Sequence, residues 1–230
     1  MGSVYLGSTK IESFIDERTI SATAKLETEI TSVTIPSGVT IIGEDSFEHL
    51  TKLSSVTIPS GVITLESSCF NNCSSLKTIT IPSGVTTINS IAFGHSGLTS
   101  ITIPNTVKSL GTSVFTGCKS LTSATISTGL TSLSGDLFSN CTALASITIP
   151  ANIKSIGSGT FYNCTALKKV YIASDPPSVY DSSSTSTTAF MSFGGVTNAK
   201  FYYKSGNTKW TSAIRTSTFG GSTGTTWATY

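Results

Sequence analysis

One short segment returns along the chain at a nearly constant interval, and this repetition constrains the fold more than any other feature. The residues that open the repeating units are 23 apart, except for one step of 22: Ile30, Leu53, Leu76, Leu98, Leu121, Leu144 and Leu167. The segment itself is SVTIPSGV at 32–39 and 55–62, with variants TITIPSGV at 78–85, SITIPNTV at 100–107, SATISTGL at 123–130 and SITIPANI at 146–153. Internal repeats of this length indicate a solenoid, in which each unit packs on its neighbours.

Each unit combines a short strand pattern with a turn. In Leu53, Val56, Ile58 and Pro59 the apolar residues alternate at period two, which indicates a strand with one buried face, and the proline ends the strand. An unbroken phenylalanine column closes the units and is predicted to be buried: Phe47, Phe70, Phe93, Phe115, Phe138 and Phe161. We therefore predict seven parallel strands, near 33–35, 56–58, 79–81, 101–103, 124–126, 147–149 and 170–172.

The unit LTSITIPNTVKSLGTSVFTGCKS at 98–120 resembles the BspA-type leucine-rich repeat. The resemblance covers roughly residues 30–172 and implies a β-rich leucine-rich repeat solenoid with a parallel sheet of about seven strands. Members of that family are common on the surfaces of host-associated bacteria and of some parasitic protists, where they act in adhesion. The resemblance thus implies a non-enzymatic binding protein, extracellular or at the cell surface, whose partner is a host or bacterial surface protein or a glycan.

The chain divides into three parts. Residues 1–29 are predicted to be an N-terminal segment with a degenerate cap around AKLETEI, residues 30–172 the repeat array, and residues 173–230 a Ser/Thr-rich loop with an aromatic cap. The segment VYLGSTKI at 4–11 resembles the start of some bacteriophage tail proteins, which gives a virion receptor-binding component as an alternative.

Charge and hydropathy exclude several classes of partner. The net charge of +2 is too small to argue for nucleic acid or an anionic membrane, and no apolar stretch approaches the ~18 residues that a membrane span needs. The first ten residues lack a signal-peptide pattern, so we expect either a removed signal or a protein that is not exported by one.

The sequence predicts no catalytic, cofactor or metal site. Four cysteines share one column, Cys73, Cys118, Cys141 and Cys164, and with Cys69 they are expected to be buried free thiols. His49 and His95 lie two turns apart, roughly 10 Å, which is too far for a shared metal. The carboxylates recur in no column, and no nucleophile elbow, phosphate loop or HExxH motif is present.

The outward positions of the strands carry hydroxyl groups. Two columns are predicted on the exposed, concave face: Ser32/Thr34, Ser55/Thr57, Thr78/Thr80, Ser100/Thr102, Ser123/Thr125 and Ser146/Thr148. Such columns also fit an ice-binding solenoid. Ice-binding solenoids use Thr-x-Thr ladders, however, and here five of the six first members are Ser, with Thr78 as the exception. A purely structural spacer is a further alternative.

The hydroxyl pattern ends at Lys169 and Tyr171, close to a tail rich in aromatic residues. Bases and rings together make good interface anchors, so we predict that the C-terminal third carries more of the ligand affinity than the mid-array face, with Lys169, Tyr171, Tyr202, Trp210 and Trp227 as candidate binding residues. Part of the aromatic set must instead form the cap. The charge is also uneven along the chain, with a sum of −5 for residues 1–70 and +7 for residues 71–230.

Overall fold

The computed structural model describes residues 4–6, 9–11, 19–20, 30–179, 191–212, 214–215 and 219–230. These residues form a parallel β-solenoid of about eight turns. The described residues contain no α-helix, and accordingly no helix among them could cross a membrane. The predicted fold class is confirmed.

An antiparallel hairpin stands at the N-terminal end. Strands β1 (Val4–Leu6) and β2 (Thr9–Ile11) pair with each other, and β1 also pairs antiparallel with the first array strand, through the couples Tyr5–Thr34 and Leu6–Val33. This pairing occupies the strand edge that the first turn would otherwise leave open. Residues 24–29 of the predicted degenerate cap lie outside the described residues.

Two layers of short parallel strands run along the solenoid. The second layer contains β3 (Thr19–Ile20), β5 (Ile41–Ile42), β7 (Thr64–Leu65), β8 (Thr87–Ile88), β10 (Ser109–Leu110), β12 (Ser132–Leu133), β14 (Ser155–Ile156) and β16 (Ser178–Val179). The first layer contains β4 (Ser32–Thr34), β6 (Ser55–Thr57), β9 (Ser100–Thr102), β11 (Ser123–Thr125), β13 (Ser146–Ile149), β15 (Lys169–Ile172), β17 (Lys200–Tyr203) and β18 (Thr226–Thr229).

Six of the seven predicted strands are confirmed, each beginning one residue earlier than expected. The prediction of a strand at 79–81 is wrong, because no ladder forms between 77 and 82. The interruption coincides with the unit that opens at Leu76, which is the one unit of 22 residues. Ile79 and Ile81 of this segment still face the core. The chain therefore follows the same course as in the other turns, although its backbone forms no strand pairs here.

The parallel stack continues past the boundary predicted at residue 172. Strand β17 pairs with β15 in parallel register, and β18 pairs with β17. Phe193 extends the phenylalanine column by one ring, with its centroid 4.9 Å from that of Phe161. The segment predicted as a cap therefore contributes two further strands to the first layer before the aromatic cap covers the end.

The core is organised around the phenylalanine column. The rings of Phe47 through Phe161 are at most 2% exposed and stack with centroids 5.2–5.7 Å apart. The amide of each ring-bearing residue donates to a carbonyl of the next turn, as from Phe115 to Leu137 at 2.9 Å. The predicted burial of this column is confirmed, and these amide bonds join neighbouring turns on this side in addition to the strand pairs of the two layers.

Candidate ligand-binding face

The outward side of the first layer presents two columns of hydroxyl groups. Side chains alternate across a strand, so each inward middle residue, such as the buried Val33 or the half-buried Val56, is flanked by outward ones. All twelve members of what we call the hydroxyl face are exposed: Ser32, Thr34, Ser55, Thr57, Thr78, Thr80, Ser100, Thr102, Ser123, Thr125, Ser146 and Thr148. Thr78 and Thr80 of the interrupted turn are exposed like the others, and the role of this face in binding stays a prediction.

The same two columns change character at the C-terminal end. Lys169 pairs in register with Ser146 and Lys200, while Tyr171 pairs with Thr148 and Tyr202. The rings of Tyr171 and Tyr202 stack with centroids 4.6 Å apart, and the exposed Tyr230 meets Tyr171 edge-on at 5.8 Å. We call Lys169, Tyr171, Lys200, Tyr202 and Tyr230 the Lys/Tyr patch.

The patch contains two lysine side chains. Both lysines are exposed, and neither forms an ion pair with a carboxylate of the described residues. The Nζ atom of Lys200 lies 5.3 Å from the ring centroid of Tyr202, in a cation–π contact. Asp175 is the only carboxylate side chain described after residue 136, and it is paired with Lys209 at 2.6 Å. The hydrogen bonds from Lys209 and Asn207 lower the pKa of Asp175.

Trp210 belongs to the cap and not to the contact surface. It is 3% exposed, its Nε1 donates to the Ser174 carbonyl at 3.3 Å, and its ring contacts those of Tyr203 and Phe219. The expectation that Trp210 anchors a partner is therefore wrong, because a ring in the core offers no area to bury on binding.

Trp227 is half-buried in the same cluster. Its ring lies 5.0 Å from that of Phe201 and 5.3 Å from that of Trp210, and both partners are buried. Trp227 therefore contributes mainly to the cap. Phe201 is buried as well, and Tyr203 is half-buried, with its hydroxyl accepting a bond from Arg215 at 2.8 Å. Of the five predicted binding residues, the structure brings together Lys169, Tyr171 and Tyr202, and it adds Lys200 and Tyr230.

The five cysteines are buried free thiols. Those of the shared column donate to the carbonyl of the phenylalanine one turn earlier in the column, as from Cys73 to Phe47 at 3.1 Å and from Cys164 to Phe138 at 3.1 Å. Burial raises the pKa of the Cys73 thiol to about 12 and that of the Cys118 thiol to about 11. Because the thiolate is the reactive form, these sulfurs are poor nucleophiles at neutral pH.

His49 and His95 occupy a backbone position that the sequence alone did not reveal. Both have a positive φ, 62° and 53°, and the same column continues through Asn72, Gly117, Asn140, Asn163 and Gly195. Asn, His and Gly are the residues that adopt this conformation most readily. The turn conformation thus accounts for both histidines. In the sequence, the recurrence of Asn, Gly and His in one column was the signal that could have indicated this conformation. Among the described residues, no group of three or more His, Cys, Asp or Glu could hold a metal.

The comparisons with known proteins agree with this architecture. The sequence pattern of the BspA type leucine rich repeat region matches residues 18–97 and 86–214 in six copies. No curated protein matches the chain. The similarity of residues 4–11 to bacteriophage tail proteins is not found in these comparisons.

Three solved structures are similar. A leucine-rich repeat protein from Bacteroides ovatus shares 22% identity at a TM-score of 0.60, over 88% of this chain and 70% of that one. The T. pallidum leucine rich repeat protein shares 30% identity at a TM-score of 0.55, over 60% of this chain and 64% of that one. The pneumococcal vaccine antigen PcpA shares 21% identity at a TM-score of 0.50, over 86% of this chain and 41% of that one. The chain therefore spans between 41% and 70% of the length of these proteins.

Proposed function

Because the chain belongs to the BspA-type leucine-rich repeat family, we propose that it is a non-enzymatic binding protein that holds its ligand on the outward side of the first strand layer. The observation that carries this proposal is the continuity between the hydroxyl face and the Lys/Tyr patch. Both are built from the same two outward columns of parallel strands, so one extended ligand can contact both.

The distribution of side chains along this face supports a division of labour. Ser and Thr expose little area, so each is expected to add little binding energy, but together they offer many hydrogen-bonding groups. Tyr buries a large area at a small entropic cost, and a lysine adds a charge-assisted bond. The Lys/Tyr patch is therefore the main anchor, and the hydroxyl face sets the direction of the ligand.

The non-enzymatic part of the proposal rests on what the described residues bring together. The thiols are buried with raised pKa values, and the two histidines lie in turns, where their backbone conformation accounts for them. Neither arrangement places a nucleophile beside a base, which is the minimum for covalent catalysis.

A location at a cell surface follows from the family and forms part of the proposal. Membership of the BspA type implies a role in adhesion, and an adhesive role requires the binding face to be accessible from outside the cell. The near-neutral, hydroxyl-rich outward face suits contact with other macromolecules better than insertion into a bilayer.

Ice binding remains a weaker second candidate, favoured only by the regularity of the hydroxyl face. Two observations count against it: the strand ladder is interrupted at 77–81, and Ser occupies five of the six first positions. Both reduce the match to a regular lattice.

A binding screen with the whole chain tests the proposal. The purified protein is passed over immobilised host matrix proteins, glycans and bacterial surfaces, together with a Tyr171→Ala/Tyr202→Ala variant and a Thr57→Ala/Thr80→Ala control. We expect at least one class to retain the protein and the tyrosine variant to lose retention. If no class retains the wild type, or if the tyrosine variant binds as well as wild type, the proposal is wrong.

A further inference from the structure

We propose that the ligand of the Lys/Tyr patch is an acidic glycan, whose sulfate or carboxylate groups are held by Lys169 and Lys200. This inference rests on the proposed function and narrows it to one class of partner. It depends on three features of the described residues: two unpaired cations in register, phenol groups beside them, and the lack of exposed apolar surface around them.

The first feature is the pair of lysines. Lys169 and Lys200 are directly opposite each other on neighbouring parallel strands, and neighbouring strands lie about 4.8 Å apart. Two like charges at this spacing repel each other unless an anion lies between or above them. Lys168, the residue before Lys169, is turned aside, with its Nζ donating to the Thr197 carbonyl at 2.7 Å. The patch therefore presents two cations free to accept an anionic ligand.

The second feature is the row of phenols. The Tyr171 and Tyr202 side chains stand side by side next to the lysines, and Tyr230 closes one side of the pair. Neither the Tyr171 nor the Tyr202 hydroxyl forms a hydrogen bond to another described residue, in contrast to the Tyr203 hydroxyl, which is bonded to Arg215. Rings with free hydroxyls can contact the C–H surface of a sugar and also bond to its oxygen atoms.

The third feature distinguishes a glycan from a protein. Protein interfaces are centred on apolar and aromatic groups that become fully buried. Among the described residues, the large hydrophobic side chains that are clearly exposed are Ile63 and Tyr230, and Ile63 lies on the flank of the second layer. The face that leads to the patch offers twelve hydroxyl groups in place of apolar anchors, and these match the hydroxyl groups of a polysaccharide.

Charge along the solenoid supports an acidic ligand. Residues 30–70 carry four acidic side chains against Lys52, a sum of −3, whereas the described residues after 70 carry ten basic side chains against Asp136 and Asp175, a sum of +8. In a solenoid, sequence position corresponds to axial position, so the part of the array after residue 70 attracts an anionic chain and the part before it repels it. An acidic polysaccharide is therefore expected to bind first at the patch and to extend from there onto the hydroxyl face.

The experiment measures binding of the full chain to dextran sulfate, polygalacturonate and uncharged dextran at low salt. Dextran sulfate tests sulfate groups, polygalacturonate tests carboxylate groups, and dextran controls for the sugar backbone. We expect binding to at least one acidic polymer, none to dextran, and a steep loss of affinity as salt rises. A Lys169→Gln/Lys200→Gln variant should bind at least about tenfold more weakly, because two charge-assisted bonds are lost.

A matched variant separates the patch from the overall charge. Lys108→Gln/Lys154→Gln removes the same charge from exposed lysines on the flank of the second layer, and its affinity should stay within about twofold of wild type. All four lysines are exposed, so melting temperatures should be unchanged, which confirms that the variants fold. Equal losses in the two variants would overturn the inference, because binding would then follow net charge alone.

Poly-L-glutamate distinguishes an acidic protein from an acidic glycan. If it binds more tightly than both acidic polysaccharides, or if neither polysaccharide binds, the inference is wrong. The proposed function still stands in that case when the screen finds another ligand that the Tyr171→Ala/Tyr202→Ala variant loses. The proposed function fails together with the inference when the wild type binds nothing, or when the Tyr171→Ala/Tyr202→Ala variant keeps all of its binding.

Discussion

The middle of the array and its C-terminal end share one backbone but differ in what they offer to a partner. Between residues 30 and 149 the first layer repeats the same outward pair, Ser or Thr followed by Thr, over a stack of identical rings. In strands β15 and β17 the same outward positions hold lysine and tyrosine, and the core changes to a mixed aromatic cluster. The backbone register therefore sets the direction in which the side chains point. The residue type at each outward position decides whether a turn only supports the fold or also contacts a ligand.

The largest expected effect tests the scaffold side of this comparison. Phe115→Ala removes a fully buried ring that stacks on both neighbours, at 5.6 and 5.5 Å, and should cost roughly 3–5 kcal/mol in the free energy of unfolding. Chemical denaturation monitored by circular dichroism measures the change. Thr102→Ala, on the outward face of the same region, is the control and should change stability by less than about 0.5 kcal/mol. A loss below about 1 kcal/mol for Phe115→Ala would mean that the ring stack is not what holds the turns together.

The thiols also belong to the scaffold, since all five lie between Cys69 and Cys164 and the cap contains none. Burial raises the pKa of Cys73 to about 12, so above about pH 8.5 the unfolded thiol ionises while the folded one keeps its proton. Stability should therefore be independent of this group below that pH and fall by about 1.4 kcal/mol per pH unit above it.

Denaturation curves of wild type and Cys73→Ala, taken between about pH 7 and pH 11, isolate this contribution. The variant should show the shallower decline, because tyrosines and lysines titrate equally in both proteins. Parallel declines would show that the Cys73 thiol does not remain protonated in the folded state.

The contact side of the comparison predicts a smaller, local effect on binding. Tyr171→Ala/Tyr202→Ala should weaken binding to dextran sulfate, or to whichever class the screen retains, by about tenfold, with little change in melting temperature. Thr57→Ala/Thr80→Ala should weaken it by less than about threefold, because each hydroxyl contributes little area. The reverse order would move the main contact from the Lys/Tyr patch to the hydroxyl face.

The smallest expected effect concerns a strained position in the array. Ile91 has φ of 60°, in a column where the equivalent residues are Asp45, Ser68, Ser113, Asp136 and Gly159. A β-branched residue is disfavoured there, so Ile91→Asn should stabilise the protein by about 1 kcal/mol. Ile63→Asn, at an exposed isoleucine outside that column, is the control and should be close to neutral. A destabilised Ile91→Asn would indicate that the side chain contributes more by packing than the backbone loses by strain.

The sequence was sufficient for the features that repeat. The Leu, Val and Ile columns, the phenylalanine column and the outward hydroxyl groups all follow from a fixed interval and a period-two strand. The sequence did not reveal Phe193 as a member of the phenylalanine column. It lies 32 positions after Phe161, and this longer interval, an insertion in the last unit, conceals the repeat spacing. The same insertion hides the likeness between KVYI at 169–172 and KFYY at 200–203, which would have revealed Lys200 as the partner of Lys169.

Features that depend on contacts across the end of the stack could not be predicted. Trp210 and Trp227 occur in a tail without periodicity, so the sequence gives no reason to place one in the core and the other at its margin. Their burial depends on where the last turn ends and on how its open core is covered by Phe201 and Phe219.

The constant spacing of the phenylalanine rings has a consequence for how such a protein can evolve. Each unit meets the next through the same ring contact, so a gene that gains or loses one unit of 23 codons still encodes compatible neighbours. The identical segments SVTIPSGV at 32–39 and 55–62 are positions at which such a change keeps the repeat interval intact. Every such event changes the reach of the molecule by about 4.8 Å and carries the terminal lysines and tyrosines along unaltered.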